Sequence, residues 1–211
     1  MFALNALSRH EEASALCAEN TRFDARTAYE RAVALETLGR ASDAAPMYGS
    51  VARAGKDSLS DIYWRAWRYL ENGGYLASIR AADLSIALVQ NSPDSIGYLR
   101  FVRTVAMCLL KQCEAAQAEL KQLGIPAGAG EWVQAVFQFE TGALTADALV
   151  KKAGRREEET EARTYVALDL LGRGRTAEAL PHFKWVVDRD SENVTEYFVA
   201  QAHYKRLLTA R

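Results

Sequence analysis

Four times along the chain an alanine stands seven residues ahead of a glycine: Ala32 and Gly39, Ala66 and Gly73, Ala135 and Gly142, Ala167 and Gly174. Each alanine lies in a stretch whose apolar residues recur at three- and four-residue spacing, the period of an amphipathic helix. Each glycine ends that stretch, because glycine adopts the left-handed backbone of a helix exit without steric cost. A chain that repeats this helix-and-turn unit has few ways to bury its apolar faces. It must stack the copies against one another.

The clearest unit runs from Glu161 to Asn193. Ala162, Tyr165, Val166 and Leu170 mark the apolar face of a first helix, and Leu171-Gly172-Arg173-Gly174 ends it. Thr176 is a natural N-cap for a second helix, with Glu178 in the first turn where the helix dipole favours negative charge. Ala179, Leu180, Phe183, Val186 and Val187 form the second apolar face, and Asp190 to Asn193 closes the unit. An earlier copy matches it closely. Gly39-Arg40 precedes Ala44, Pro46 and Tyr48 as Gly174-Arg175 precedes Ala179, Pro181 and Phe183. Ala106 and Cys113 read as a fifth copy with Cys113 in the place of the turn glycine. The intervals are then irregular: 34 residues from Gly39 to Gly73, 40 on to Cys113, and 29 on to Gly142.

Ala167, Gly174, Ala179 and Phe183 fall where a tetratricopeptide repeat (TPR) has its first small residue, its turn glycine, its second small residue and its aromatic. The unit therefore resembles the TPR family, with Arg163 where that family has an early tryptophan and Ser191 where it has a closing proline. The resemblance implies an all-α, right-handed α-solenoid over residues 1–211 as a single domain. Its divisions are a half repeat over 1–20, repeats over about 24–57, 58–92, 93–127, 128–157 and 158–193, and a C-terminal capping helix over 194–211. Thirteen helices are predicted, the first over 1–8 and the last over 194–209, with a bend in the glycine-rich stretch 124–130. Phe2, Leu4 and Leu7 have no upstream repeat to cover them, so self-association through this N-terminal edge is expected.

Composition excludes several partners. The 26 basic and 27 acidic residues leave a formal net charge of −1, which gives no field suited to nucleic acid. No run approaches the roughly 18 apolar residues of a membrane helix, and the N-terminus lacks a signal-peptide layout. Cys17, Cys108 and Cys113 make a poor disulfide framework and point to a reducing compartment, the cytoplasm, although a mature periplasmic protein would read the same way.

Catalytic, metal and cofactor constellations are not found. His10, His182 and His203 are too scattered for a zinc motif, and residues 171–175 lack the lysine and hydroxyl of a phosphate loop. Cys108 and Cys113, five residues apart, read as buried small apolar residues rather than a redox pair. Glu157, Glu158 and Glu159 read as a solvated helix start.

In the family the first helices line a concave groove. The register set by the alanines places Tyr29, Val33 and Glu36; Tyr63, Trp67 and Leu70; Arg103, Met107 and Leu110; Trp132, Val136 and Phe139; and Thr164, Leu168 and Leu171 on that surface, with Arg100 nearby. Aromatic rings with arginines suit a peptide that carries an acidic group, since guanidinium pairs bidentately with carboxylate. The lysine and asparagine arrangement of chaperone-binding TPR proteins is missing. The function expected is a scaffold or adaptor binding a protein or peptide. A regulatory module of a larger protein is the alternative, and an enzyme on a helical scaffold comes third.

Overall fold

Every described element of the computed structural model is an α-helix; the described residues are 2–6, 9–19, 24–54, 59–89, 91–189 and 194–209. The helices are α1 (Phe2–Ala6), α2 (His10–Glu19), α3 (Ala25–Thr37), α4 (Ala41–Arg53), α5 (Leu59–Asn72), α6 (Tyr75–Leu88) and α7 (Pro93–Leu109). They continue as α8 (Cys113–Leu123), α9 (Glu131–Glu140), α10 (Ala146–Lys152), α11 (Arg156–Gly172), α12 (Thr176–Arg189) and α13 (Thr195–Thr209). No helix among the described residues is long and apolar enough to cross a membrane.

Five hairpin turns share one geometry. At Gly39, Gly73, Gly142 and Gly174 the backbone is left-handed, and the two N–H groups that follow the helix bond back to its last turn. At Gly174, for instance, its own N–H meets the Leu171 carbonyl at 3.0 Å and that of Arg175 meets Leu170 at 2.8 Å. This is a Schellman exit, which satisfies two orphan carbonyls and reverses the chain. The fifth such turn is not at Cys113 but at Lys111, whose φ is +66°. Its N–H bonds to Cys108 at 2.8 Å and that of Gln112 to Met107 at 3.0 Å. The turn residues are then spaced 34, 38, 31 and 32 residues apart, a more even series than the sequence reading.

Within each hairpin small side chains let the helices meet. Ala66, Ala167, Ala44 and Ala179 are all buried, and Ser78 sits in the same role, its Oγ donating to the Ala66 carbonyl at 2.7 Å. Phe183 and Tyr48 follow as fillers, the first fully buried and the second partly so.

The first helices also meet one another. α5 packs on α7, α7 on α11, α11 on α13, and α13 returns to α5. The direct contact of α7 with α11 has a local cause: α9 and α10 are only 10 and 7 residues long and leave the C-terminal half of α7 uncovered. α13 does more than cover α12. His203 Nε2 lies 3.3 Å from the Leu70 carbonyl and Arg206 Nη1 donates to the Glu71 carbonyl at 2.7 Å, so the last helix is fastened to the end of α5. Tyr98 bonds Glu161 near the starts of α7 and α11, and Gly172 meets Cys108 near their ends, so these two helices run parallel.

Two glycines permit the close crossings. A Cβ at Gly97 would collide with Val133 of α9, and one at Gly172 would meet the Cys108 sulfur and, at 3.0 Å, the Cys108 backbone. A side chain can yield, but backbone cannot. We expect Gly172→Ala to destabilise by about 1–3 kcal/mol despite the roughly 1 kcal/mol that alanine gains in helix propensity. The cost of Gly97→Ala should be largely recovered in a Gly97→Ala/Val133→Ala double variant, and chemical denaturation measures both.

The N-terminal edge is covered from within. Phe2 meets the Tyr69 ring edge-on at 5.1 Å and lies beneath the Arg65 guanidinium at 5.7 Å. Asn5 is buried and donates through Nδ2 to the Glu30 carbonyl and to Glu30 Oε2, both at 2.8 Å. Leu7 lies outside the described residues. The expected exposed apolar edge is thus replaced, at Phe2, by packing on α5.

Candidate functional site

At one end of the fold α5, α7, α9, α11 and α13 bring together Tyr63, Tyr98, Trp132, Glu161, Tyr165 and Glu196; Trp132 and Glu196 stand in first turns, Tyr63, Tyr98 and Glu161 in second turns, and Tyr165 one turn beyond Glu161. Glu161 Oε2 accepts from the Tyr98 hydroxyl at 2.9 Å and from the Trp132 indole N–H at 2.8 Å. Glu196 Oε1 accepts from the Tyr165 hydroxyl at 3.1 Å. No arginine or lysine among the described residues forms an ion pair with either carboxylate.

Two carboxylates in an aromatic setting cannot both stay ionised cheaply. Burial pushes Glu196 up to about 8, and the Glu161 charge adds to the shift. Burial raises Glu161 as well, but its indole and phenol donors oppose the rise. At neutral pH the pair therefore holds a proton on Glu196. Burial, reinforced by the two carboxylates, also holds the Tyr98 phenol far above its ordinary value, and Tyr63 rises for the same reasons. The Tyr98 and Tyr165 phenols therefore stay protonated and act as donors to the two carboxylates. The first turns of the helices add their own partial positive charge, which favours anions at this end.

The residues singled out from the sequence do not form one surface. Tyr63 and Trp132 belong to the carboxylate cluster. Tyr29 is fully buried between α3 and α6, its hydroxyl donating to the Ala77 carbonyl at 2.6 Å, and Trp67 is core at 3% exposure. Phe139 packs partly buried on the core. Arg100, Arg103 and Met107 point the other way, toward α6 and α8. Arg103 pairs with Asp83 at 2.7 Å and Glu119 at 2.9 Å, and touches Met107 Sδ at 3.2 Å. Arg100 donates to the Gly124 carbonyl at the end of α8 at 2.7 Å. A cavity of about 200 Å³ remains beside them, but their charges are engaged within the chain.

The cause is the turn at Lys111. Placing it at Cys113 shifts the register of α7 by two residues, and at 100° per residue that rotates every side chain by about 200°, to the opposite face. In the corrected register Phe101, Val105 and Cys108 replace Arg103, Met107 and Leu110, and Tyr98 replaces Arg100. Tyr98 stands 13 residues before Lys111, and Glu161 stands 13 before Gly174. The two partners of the central hydrogen bond are thus equivalent positions of two hairpins. One signal for this was available: Ala44 and Ala179 follow their turn residues by five, and the buried Ala116 counts back by five to Lys111.

The sequence reading of the cysteines also changes, because Cys108 and Cys113 are joined by a disulfide across this same turn. Among the described residues no group of three or more His, Cys, Asp or Glu is arranged to hold a metal ion. No protein-family model, no curated protein and no solved structure matches the chain.

Proposed function

We propose that the chain is a protein-binding module of TPR-like hairpins, its first helices closed on themselves by the return of α13 to α5 rather than extended as an open solenoid, and that one end of these first helices receives a basic side chain of a partner. The five Schellman turns and the small residues at the hairpin contacts support the architecture. One observation carries the function: Glu161 and Glu196 share a site walled by Tyr63, Tyr98, Trp132 and Tyr165, and no arginine or lysine among the described residues forms an ion pair with either. Carboxylate and aromatic faces together recognise guanidinium or ammonium groups, by charge-assisted hydrogen bonds and by attraction to the ring quadrupole. An acidic ligand fits less well, since Arg100 and Arg103 are satisfied by Asp83, Glu119 and a helix-end carbonyl.

A cation beside Glu161 also favours the ionised form of Glu196, so its binding is coupled to release of the Glu196 proton. Calorimetric titration with N-acetylarginine amide, against its neutral isostere N-acetylcitrulline amide, tests this in buffers of different ionisation enthalpy. We expect at least tenfold preference for arginine, about 1.4 kcal/mol, and release of close to one proton at pH 7. Glu161→Gln should remove the preference. Equal binding of the two amides, or arginine binding without proton release, would refute the reading.

A further inference from the structure

The Cys108–Cys113 pair lies outside the proposed binding face, and its two sulfurs differ in every respect that governs thiol chemistry. Cys108 is 4% exposed and faces the glycine of α11 at the crossing, where not even a Cβ fits. Cys113 is half-buried and lines a cavity of about 560 Å³ together with Lys111, Glu114, Gly172 and Arg173. Cys113 is also the first residue of the 11-residue helix α8, while Cys108 lies in the last turn of α7. The positive end of a helix and the neighbouring Lys111 ammonium favour a thiolate at Cys113, whereas the negative end of α7 opposes one at Cys108.

The cavity favours a particular kind of reactant. Lys111 Nζ donates one hydrogen to the Gly172 carbonyl at 3.1 Å and keeps two for an anion. Arg173, bound to Asp169 at 2.9 Å, lies on the rim, and Glu114 is the single carboxylate among the lining residues. We propose that this is a thiol–disulfide exchange site, at which Cys113 meets an acidic low-molecular-weight disulfide of the glutathione class and Cys108 resolves the product.

Starting from the dithiol, the Cys113 thiolate attacks one sulfur of the small disulfide. Its S–S bond breaks, a mixed disulfide forms at Cys113, and one small thiolate leaves. The Cys108 thiol then loses its proton to solvent and attacks the Cys113 sulfur, forming the internal disulfide and releasing the second thiolate. Two electrons pass from the cysteine pair to the small disulfide, which ends as two thiols. The left-handed turn at Lys111 favours the second step, because its backbone bonds from the Lys111 N–H to Cys108 at 2.8 Å and from the Gln112 N–H to Met107 at 3.0 Å bring residues 108 and 113 near each other independently of the sulfur–sulfur bond.

The test uses the full chain, reduced and freed of reductant, then exposed to glutathione disulfide. Intact mass and peptide mapping follow the products. The parent should pass through an adduct at Cys113 to the internal disulfide. Cys108→Ser should trap the adduct at Cys113, at a rate at least tenfold above that of adduct formation at Cys108 in Cys113→Ser. Lys111→Gly, which suits the left-handed backbone and removes the ammonium together with its bond to the Gly172 carbonyl, should slow the first step about threefold or more. Equal rates in the two serine variants would overturn the assignment of roles. A parent that stays a dithiol under excess glutathione disulfide would overturn the site altogether, and circular dichroism on each variant shows that the comparison is between folded proteins.

Discussion

From pH 5 to pH 9 the parent is expected to lose roughly 10 °C more in melting temperature than the Glu196→Gln variant, while buried Glu140, raised by desolvation, lowers both curves alike. Burial beside Glu161 lifts the Glu196 carboxyl from an ordinary value of 4.5 to about 8 in the folded protein. Below pH 4.5 it is protonated in both states, and its contribution to stability is fully present. Above that value the unfolded chain releases the proton and the folded chain does not, so stability falls with rising pH until the folded group ionises near pH 8. Over that window the loss is of the order of 4 kcal/mol, and a chain of this length melts about 2–4 °C lower per kcal/mol.

Glutamine has the same shape and no charge to lose. Buried His203 contributes with the opposite sign, because burial holds its ring down to about 3 and it stays neutral when folded. Its effect is a loss of stability as pH falls below 6.5, present equally in parent and variant. The difference between the two melting curves therefore isolates the carboxylate pair. Parallel curves from pH 5 to pH 9 would mean that Glu196 ionises as freely in the folded chain as in the unfolded one.

The helices were legible because each hairpin repeats the same local chemistry. A left-handed glycine and an apolar period of 3.6 recur at Gly39, Gly73, Gly142 and Gly174, with a small residue on either side of the turn at all but Gly142, and these are local preferences. The turn after α7 was hidden because lysine rarely occupies a left-handed position, and nothing but the count from Ala116 marks Lys111. That single turn decided the candidate site. With α7 two residues out of register, Arg100 and Arg103 stood in for Tyr98 and Phe101, and an acidic mouth read as a basic one.

Glu161 and Glu196 were not legible for a different reason. On α11, Glu161 follows three exposed or half-exposed glutamates, and nothing local separates a carboxylate that meets Trp132 across the fold from one that meets water. The return of α13 to α5 was equally non-local, since it rests on His203 and Arg206 finding carbonyls more than 130 residues away. The same holds for the N-terminal edge. Apolar Phe2, Leu4 and Leu7 stood out in the sequence, but what anchors α1 is the polar Asn5 on a buried glutamate.

That glutamate should produce the largest single-residue loss in the N-terminal half. Glu30 is 1% exposed and is held by three groups at once: Arg65 pairs with its Oε1, Tyr69 donates to Oε2 at 2.6 Å, and Asn5 donates to the same oxygen. Glu30→Gln preserves size and one acceptor but leaves the Arg65 guanidinium, with 7% of its side chain exposed, as a buried cation beside Arg26. Breaking such a pair from one side costs about 3–5 kcal/mol. Arg65→Met should cost less, since the carboxylate keeps its tyrosine and asparagine donors. The Glu30→Gln/Arg65→Met double variant should lose well under the sum of the two, because no charge is then left buried. α1 reports the same event in hydrogen exchange: with Asn5 weakened, residues 2–6 should lose protection in Glu30→Gln and uncover Phe2 and Tyr69. Association that grows with concentration is then expected in that variant and not in the parent, measured by light scattering. Additive losses across the cycle, with exchange in α1 unchanged, would show that Glu30 is a surface-like pair and that α1 is held by the Phe2 contact alone.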